Sequence, residues 1–473
     1  MIAGAGAPDQ KDRMMTTDRT LGLRAELIST LKLAAPLALG HLAQIGMGLT
    51  DTIMLGALGA DAIAVGGLGG SLYFTLAMIL QGVVSSLGIL VAHARGAEDH
   101  AGIAPVMRSS VLLATVAVVP LVVILWSIEP VLLSLGQPPA LAAGIADYVR
   151  VLLLGAPALM WLGTMRTFLA AMNHARMVMV VSVVGLIVNA VLNYGLIHGR
   201  FGLPALGVLG SATATAATTW AMMLATAAWI KRTPTLARHL DVGMPDLAIL
   251  RELLSLGWPI AVTFAVEMLL FMSSGLMMGV LGTTALAAHQ VALNVASTTF
   301  MIPMACAQAA NVRVGFQLGA GRPRGARDAG IAAFILGVGF MAVASLVMLA
   351  MPQQLAMLFN LDPANPRDTA VVVLIVDMML VAACFQVFDG AQSIAVGALR
   401  GLKDTRVPMW LAGFGYWGVG FPAAWALGFP LGLGPAGIWW GLALGLAVVA
   451  IVLSHRFQRL SARLILFAEL RPI

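Results

Sequence analysis

The stretch Ala35–Asp51 reads APLALGHLAQIGMGLTD and has the composition of a membrane-spanning helix. It contains Pro36, where a helix can bend, and it ends on the carboxylate of Asp51. A charged side chain at that depth in a bilayer costs about 2.5–3.5 kcal/mol on insertion scales. We therefore expect other residues of the chain to compensate the Asp51 carboxylate, or the carboxylate to have a function.

The composition of the whole chain indicates a polytopic helical membrane protein. Of 473 residues, 60% are hydrophobic and only 10% are charged, whereas roughly a quarter of the residues in soluble domains are charged. Apolar runs of about twenty residues, the length that crosses a bilayer, occur twelve times in the sequence. These predicted spans cover approximately 33–57, 63–92, 109–135, 147–172, 177–198, 207–230, 254–281, 285–314, 331–352, 370–399, 407–429 and 435–455.

The distribution of lysine and arginine predicts the orientation of the chain. Of the 27 basic residues, all but Arg150, Arg200 and Arg367 lie before span 1, in or next to the even-numbered loops, or in the tail. Basic residues collect on the cytoplasmic side of membrane proteins, so both termini are predicted to be cytoplasmic. The net charge of +6 is thereby explained by topology, and no nucleic-acid site is predicted.

The two halves of the chain repeat each other. Residues 36–64 align without a gap with residues 259–287, and eight of the 29 positions are identical, including Pro36 and Pro259. Each half holds six spans, an even number, so both halves enter the membrane from the same side and are related by an axis along its normal. This architecture is typical of alternating-access transporters.

The predicted fold class is therefore an all-α polytopic membrane protein with twelve transmembrane helices. They form two parallel-repeat six-helix bundles around a central cavity. The predicted organisation is a cytoplasmic N-terminal arm (1–30), an N-lobe (31–230), a cytoplasmic linker (231–253), a C-lobe (254–455) and a cytoplasmic basic amphipathic tail (456–473).

Three carboxylates fall well inside predicted spans: Asp51 in span 1, Glu267 in span 7 and Asp389 in span 10. We expect no lysine or arginine at the same depth to form fixed ion pairs with them. Such a group must be protonated, hydrogen-bonded, hydrated or neutralised by a bound cation. A transporter can use it to exchange a proton or Na⁺ for a substrate, while a structurally satisfied carboxyl is the alternative for each residue.

Other polar residues in the spans suggest a pocket. Asn189 and Asn193 lie four residues apart on one face of span 5. They either join helices through hydrogen bonds or form a polar pocket of the N-lobe with Asp51. In the repeat, Gln44 occupies the position of Glu267, so the two lobes differ at this point.

Motifs of soluble enzymes are absent from the sequence, which has no P-loop, no HExxH and no CxxC. We expect a protein that is not an enzyme and has no cofactor. Transport without a nucleotide-binding motif would have to be driven by ions.

Four stretches carry a resemblance to a known family. The sequence resembles the multidrug and toxic compound extrusion (MATE) transporters, specifically their NorM-like bacterial branch, over roughly residues 27–455. The stretches are Asp51-Thr52-Ile53-Met54-Leu55-Gly56, Asn189 with Leu192-Asn193-Tyr194-Gly195, Ala288-His289-Gln290-Val291-Ala292-Leu293-Asn294, and Ala398-Leu399-Arg400-Gly401-Leu402-Lys403-Asp404-Thr405-Arg406.

The resemblance implies an antiporter that exports diverse, often cationic amphipathic drugs from the cytoplasm in exchange for Na⁺ or H⁺. Its place would be a bacterial inner membrane, where it would act as a monomer among lipids and confer antibiotic resistance. The implied ion-coupling residues are Asp51, Glu267 and Asp389, of which the last two are candidate Na⁺ ligands. The implied cavity residues are Gln44, Asn189, Asn193 and the aromatic Phe300, and Pro36 is the implied bend of span 1.

The main alternative is a flippase for a lipid-linked or polymeric substrate, which related folds also support. Such a protein would present a broad cationic cavity to diphosphate head groups, and basic residues are scarce in the predicted spans. An intramembrane enzyme or a channel is a further alternative. The enzyme would need paired metal ligands or a nucleophile, and a channel would not need two lobes with unpaired carboxylates.

Overall fold

The computed structural model describes residues 22–240, 243–359 and 369–470, and every regular element within them is a helix. This confirms the predicted fold class of an all-α polytopic membrane protein. Most of the predicted N-terminal arm, Arg367 and the last three residues of the tail lie outside the described residues. In chain order the helices are α1 (Leu23–Gly56), α2 (Ala60–Val84), α3 (Ser86–Gly96), α4 (His100–Trp126), α5 (Ile128–Ser134), α6 (Pro139–Leu153), α7 (Ala156–Ala171), α8 (Ala175–His198), α9 (Val208–Arg232), α10 (Pro234–Ala237), α11 (Leu247–Leu281), α12 (Thr283–Gly319), α13 (Pro323–Ala350), α14 (Pro352–Met357), α15 (Thr369–Gly401), α16 (Arg406–Gly413), a π-helical segment (Phe414–Gly420), α17 (Phe421–Gly428) and α18 (Gly434–Glu469).

Most of the predicted spans are found as helices. In the described ranges, nine helices are long and apolar enough to cross a membrane, counting α2 and α3 as one, and the pair α6 and α7, bent by 51°, makes a tenth. The other two predicted spans fall on α9, which is rich in alanine and threonine, and on 406–428, which is divided into three short pieces. The exact number of twelve crossings stays a prediction.

The two repeat-related prolines lie inside long helices. α1 runs through Pro36 without a break, and α11 runs through Pro259 in the same way. Each proline lacks the N–H of one intrahelical hydrogen bond, so the two helices share a weak point at equivalent positions. A bend at Pro36 stays a prediction, because α1 is one continuous helix here.

Four helices extend beyond the predicted lobe boundaries: α1 begins at Leu23, before residue 31, α9 ends at Arg232, after residue 230, and α11 and α18 also cross them. α11 begins at Leu247, before residue 254, and the carboxylate of Asp246 caps it by accepting from the N–H of Ala248 at 2.7 Å. α18 continues through the predicted tail to Glu469. Phe457 within that tail is only 2% exposed, so this part of the tail packs against the bundle as the last turns of a core helix.

The predicted lobes approach each other closely towards the end of the bundle where α1 begins and α18 ends, here called the terminal end. A Cβ atom at Gly96 would lie 2.0 Å from the carbonyl oxygen of Phe316, and one at Gly257 would lie 2.2 Å from that of Val83. Only glycine permits this approach between backbones. The contacts join α3 to α12 and α2 to α11, and thus connect the two lobes.

Glu26 connects the two predicted lobes at the terminal end. Its carboxylate is fully buried and accepts hydrogen bonds from Arg313 of α12, from Nη2 at 2.7 Å and from Nε at 3.1 Å. The side-chain amide of Gln317 also donates to it. A further hydrogen bond between the predicted lobes joins the His93 ring to the carbonyl oxygen of Gly401 at 2.8 Å. All these bonds lie at the terminal end.

We predict that Glu26→Gln destabilises the protein more than a matched surface change does. The amide leaves the Arg313 guanidinium without its counter-ion, and removing one partner of a buried ion pair costs about 3–5 kcal/mol. The control is Glu252→Gln, because Glu252 and its partner Lys403 are 45% and 41% exposed. Thermal unfolding of both variants in detergent measures the difference, and equal midpoints would contradict the prediction.

Candidate functional site

The first polar cluster surrounds Asp51 near the end of α1. The Asp51 side chain is buried, with the residue 8% exposed. Its Oδ1 accepts a hydrogen bond of 2.6 Å from the Asn193 amide of α8, and its Oδ2 accepts one of 2.9 Å from the Thr215 hydroxyl of α9. Two neutral donors on two other helices therefore hold this carboxylate, and no ion pair in the described part of the chain includes it.

Asn189 extends the same cluster by one helical turn. Its amide nitrogen lies 3.3 Å from the Thr215 hydroxyl, so Asp51, Asn189, Asn193 and Thr215 form one network. The amide oxygens of Asn189 and Asn193 are buried and have no hydrogen-bond partner among the residues that the structure describes. Buried acceptors of this kind are costly to leave unsatisfied. The network thus holds unused oxygen atoms beside a carboxylate, which is the chemistry that a small hard cation or a substrate ammonium group requires.

The second polar cluster joins the other two predicted carboxylates. Glu267 is half-buried on α11, and Asp389 of α15 is 6% exposed. The side-chain amide nitrogen of Gln392 donates to both, to Glu267 at 3.0 Å and to Asp389 at 3.3 Å. The Tyr416 hydroxyl donates to the oxygen of the same amide at 2.7 Å. One glutamine therefore bridges two carboxylates and is itself held by a buried phenol.

An arginine lies near this cluster, although no ion pair of the described residues includes Glu267 or Asp389. Arg400, at the end of α15, interacts electrostatically with Glu267 without forming a direct ion pair. Its guanidinium lies over the Phe264 ring, 5.2 Å from the centroid, a favourable arrangement for a desolvated cation. The sequence predicts Arg400 as a loop residue, because it immediately follows the predicted span.

Sequence reasoning missed Gln392, Tyr416 and Arg400. The spacing along the helix could have indicated Gln392 as a site residue, because it lies one helical turn after Asp389 on the same face. The same argument could have indicated Arg400, because it lies eleven residues, or three turns, after Asp389 on the same helix. No sequence pattern indicates Tyr416 as a site residue, because its position depends on the π-helical segment, and such a segment has no characteristic hydrophobic period.

Two predicted cavity residues lie apart from the carboxylates. Gln44 is two turns before Asp51 on α1, and its side-chain oxygen accepts a hydrogen bond of 3.2 Å from Arg166. Phe300 is half-buried on α12, and its neighbour Thr299 donates to Gln386 of α15 at 2.9 Å. No aromatic or cation–π pair of the described residues includes Phe300. The roles assigned to Gln44 and Phe300 stay predictions.

Carboxylates held by amides and hydroxyls inside a bundle of apolar helices define an integral membrane protein with polar sites in its interior. The MatE family model matches residues 36–195 and 259–426, two ranges that begin at the paired prolines. The multidrug resistance protein NorM of Burkholderia vietnamiensis is 47% identical over 446 residues, which cover 94% of this chain and 96% of that protein. A probable NorM of Pseudomonas putida is 40% identical over 443 residues, with coverages of 93% and 96%.

Solved structures agree in fold. The eukaryotic MATE transporter AtDTX14 superimposes with a TM-score of 0.84 at 20% identity, covering 94% of this chain and 99% of that one. An outward-facing multidrug resistance MATE family transporter of the MOP superfamily superimposes with a TM-score of 0.82 at the same identity and coverage. The chain therefore belongs to the MatE family, as its sequence resemblance indicated, and it is a multi-pass membrane protein.

We predict that Thr215→Val weakens the Asp51 network. Valine has nearly the same shape but removes the donor to Asp51 and the acceptor for Asn189, so the free energy of unfolding should fall by about 1–3 kcal/mol. The matched control is Thr213→Val on the same helix, because the Thr213 hydroxyl bonds only to the backbone oxygen of Leu209. Thermal unfolding in detergent compares the two, and an equal effect of both changes would count against the network.

Proposed function

We propose that the protein is a secondary antiporter that exports diverse, often cationic amphipathic drugs in exchange for Na⁺ or H⁺. It acts as a monomer in the bacterial inner membrane, with both termini in the cytoplasm, and it catalyses no chemical reaction. Membership of the MatE family and the names of the NorM relatives support drug export. The observation that carries ion coupling is the pair of carboxylates, Glu267 and Asp389, that share the amide of Gln392.

The charges of this cluster favour a monovalent coupling ion. Two carboxylates in a low-dielectric interior repel each other strongly, and both stay ionised only when a cation compensates them. Arg400 supplies one positive charge near Glu267, so one negative charge remains. A single proton or Na⁺ would neutralise the cluster. The oxygen atoms of Glu267 and Asp389 suit either ion, since Na⁺, like other hard cations, prefers oxygen ligands.

The Asp51 network forms a second polar site, in the N-lobe. It offers the Asp51 carboxylate together with the unsatisfied amide oxygens of Asn189 and Asn193. We assign this site to the amine of a cationic substrate or to a second cation, which would exclude each other there. Competition of this kind is what an antiporter needs, because the entry of the ion then releases the drug.

The arrangement of the contacts between the lobes supports the proposal of alternating access. The terminal end is held by the Glu26–Arg313 pair and by the close contacts at Gly96 and Gly257. With the termini in the cytoplasm, this conformation is closed towards the cytoplasm. Opening it to load a drug requires these contacts to separate together, while Pro36 and Pro259 provide weak points at which α1 and α11 can bend.

We predict that Glu267→Gln, Asp389→Asn and Asp51→Asn each reduce drug efflux by at least about tenfold, because a neutral amide cannot exchange a cation. Purified protein in proteoliposomes is tested under an imposed Na⁺ gradient and, separately, under an imposed pH gradient, with a fluorescent organic cation as the substrate. The gradient that drives efflux identifies the coupling ion.

The control for these variants is Asp377→Asn, which removes an exposed carboxylate from the same helix as Asp389 and should leave efflux unchanged. Normal efflux by all three acid variants at normal expression would contradict the coupling proposal. Loss of efflux in the control as well would show that the assay reports general damage.

A further inference from the structure

Arg166 lies on a helix of the predicted N-lobe and forms no ion pair with an acid of the described residues. It is half-buried on α7, where its Nη1 donates to Gln44 of α1 at 3.2 Å and its Nη2 donates to Ser182 of α8 at 3.0 Å. Its Nε is buried and has no acceptor. His41 lies close enough to interact electrostatically with Arg166, and Gln308 of the other lobe lies beside His41. The guanidinium is therefore placed where the two lobes meet.

The partners of Arg166 do not neutralise it. The ion pairs of the described residues involve Arg150, Arg313, Arg324, Lys403 and Arg456, and none includes Arg166. An arginine away from water inside a membrane protein normally pairs with a carboxylate or marks a functional site. Gln44 and Ser182 each satisfy one of its five N–H groups, which leaves both its charge and its remaining donors available.

The internal repeat shows that the two lobes provide different partners for their arginines. Gln44 and Glu267 occupy equivalent positions in α1 and α11, and each lies beside an arginine of its own lobe. Glu267 interacts with Arg400, whereas Gln44 receives a hydrogen bond from Arg166. The C-lobe thus provides an acid for its arginine, and the N-lobe provides a neutral amide at the same place. The missing negative charge is specific to the Arg166 site.

The polar groups that contact Arg166 and Asp51 follow one stripe along α1. Gln44, which contacts Arg166, lies seven residues before Asp51. Seven residues are two helical turns, so both side chains lie on the same stripe, about 10 Å apart along the axis. On the adjoining α8, Ser182 and Asn189 show the same spacing and are both buried. A fixed cation and a carboxylate thus mark the two ends of one polar stripe.

We propose that Arg166, with Gln44 and Ser182, forms an anion subsite for a carboxylate group of the transported compound, while Asp51 receives its amine. This inference rests on the proposed export function and deepens it, because it assigns the site to zwitterionic compounds as well as to simple cations. A carboxylate matches the fork of a guanidinium in a bidentate arrangement. It would replace Gln44 as the acceptor and supply the charge that the N-lobe lacks.

The test compares two dyes that differ by one group: a zwitterionic xanthene dye with a free carboxylate, and its methyl ester, which is a cation. Uptake of each dye by proteoliposomes gives a preference, the ratio of kcat/KM for the acid to kcat/KM for the ester. We expect Arg166→Gln to lower this preference about tenfold, the equivalent of one charge-assisted hydrogen bond. Arg166→Lys keeps the charge and should retain most of the preference. Arg176→Gln, which changes an exposed arginine on α8, is the matched control and should not alter it.

The outcomes separate this proposal from the export function. Failure of the wild-type protein to transport either dye would count against both. Transport of both dyes with an unchanged preference in Arg166→Gln would overturn the anion subsite and leave the export function intact. If Arg166→Gln does not accumulate, binding to the wild-type protein in detergent decides, since the acid should bind about tenfold more tightly than the ester. Equal affinities would overturn the proposal.

Discussion

The structure depends on how each ionisable group inside the bundle is compensated, because hydrocarbon supplies neither water nor counter-ions. Glu26 is fully compensated by the Arg313 guanidinium and the Gln317 amide, which suits a fixed link between two lobes. Asp51 has only neutral donors, and Glu267 and Asp389 share a single amide under the influence of one arginine. Complete compensation therefore marks a structural contact, while partial compensation marks a place where an ion or a substrate can complete the site.

The two lobes compensate their ionisable groups differently, although their sequences repeat. The acid of the first helix lies at Asp51 in the N-lobe, where the C-lobe has Ser274, and at Glu267 in the C-lobe, where the N-lobe has Gln44. Moving the acid by two turns separates it from the arginine in the N-lobe and keeps the two together in the C-lobe. The C-lobe cluster groups two acids around the amide of Gln392, and we propose that it takes a small cation. The N-lobe cluster has opposite charges at the two ends of one stripe, and we propose that it takes a larger molecule.

The fold class and the positions of the principal acids could be predicted from the sequence, because both depend on hydropathy and on residue position along the chain. Hydropathy predicts the long helices, and the depth of Asp51, Glu267 and Asp389 within them follows from position alone. The pairing of Asn189 and Asn193 with Asp51 could be offered only as an alternative, since it depends on how α1 and α8 are rotated against each other. Arg166, Arg400 and Tyr416 were not predicted as members of the sites for the same reason. Their partners lie on other helices, and a π-helical segment determines the place of Tyr416.

The contacts at the terminal end limit how the proposed transport cycle can run. Opening that end exposes a buried ion pair between Glu26 and Arg313 and separates backbones that touch at Gly96 and Gly257. Losing such a pair costs a few kcal/mol, and a ligand can shift the equilibrium only by the difference between its affinities for the two states. Binding of the cation at the C-lobe site fits this requirement, because in the proposed exchange the protein opens towards the cytoplasm with the ion bound. The ion neutralises the charge that Glu267 and Asp389 leave uncompensated, and it drives opening if the open state holds it more tightly than the closed state does.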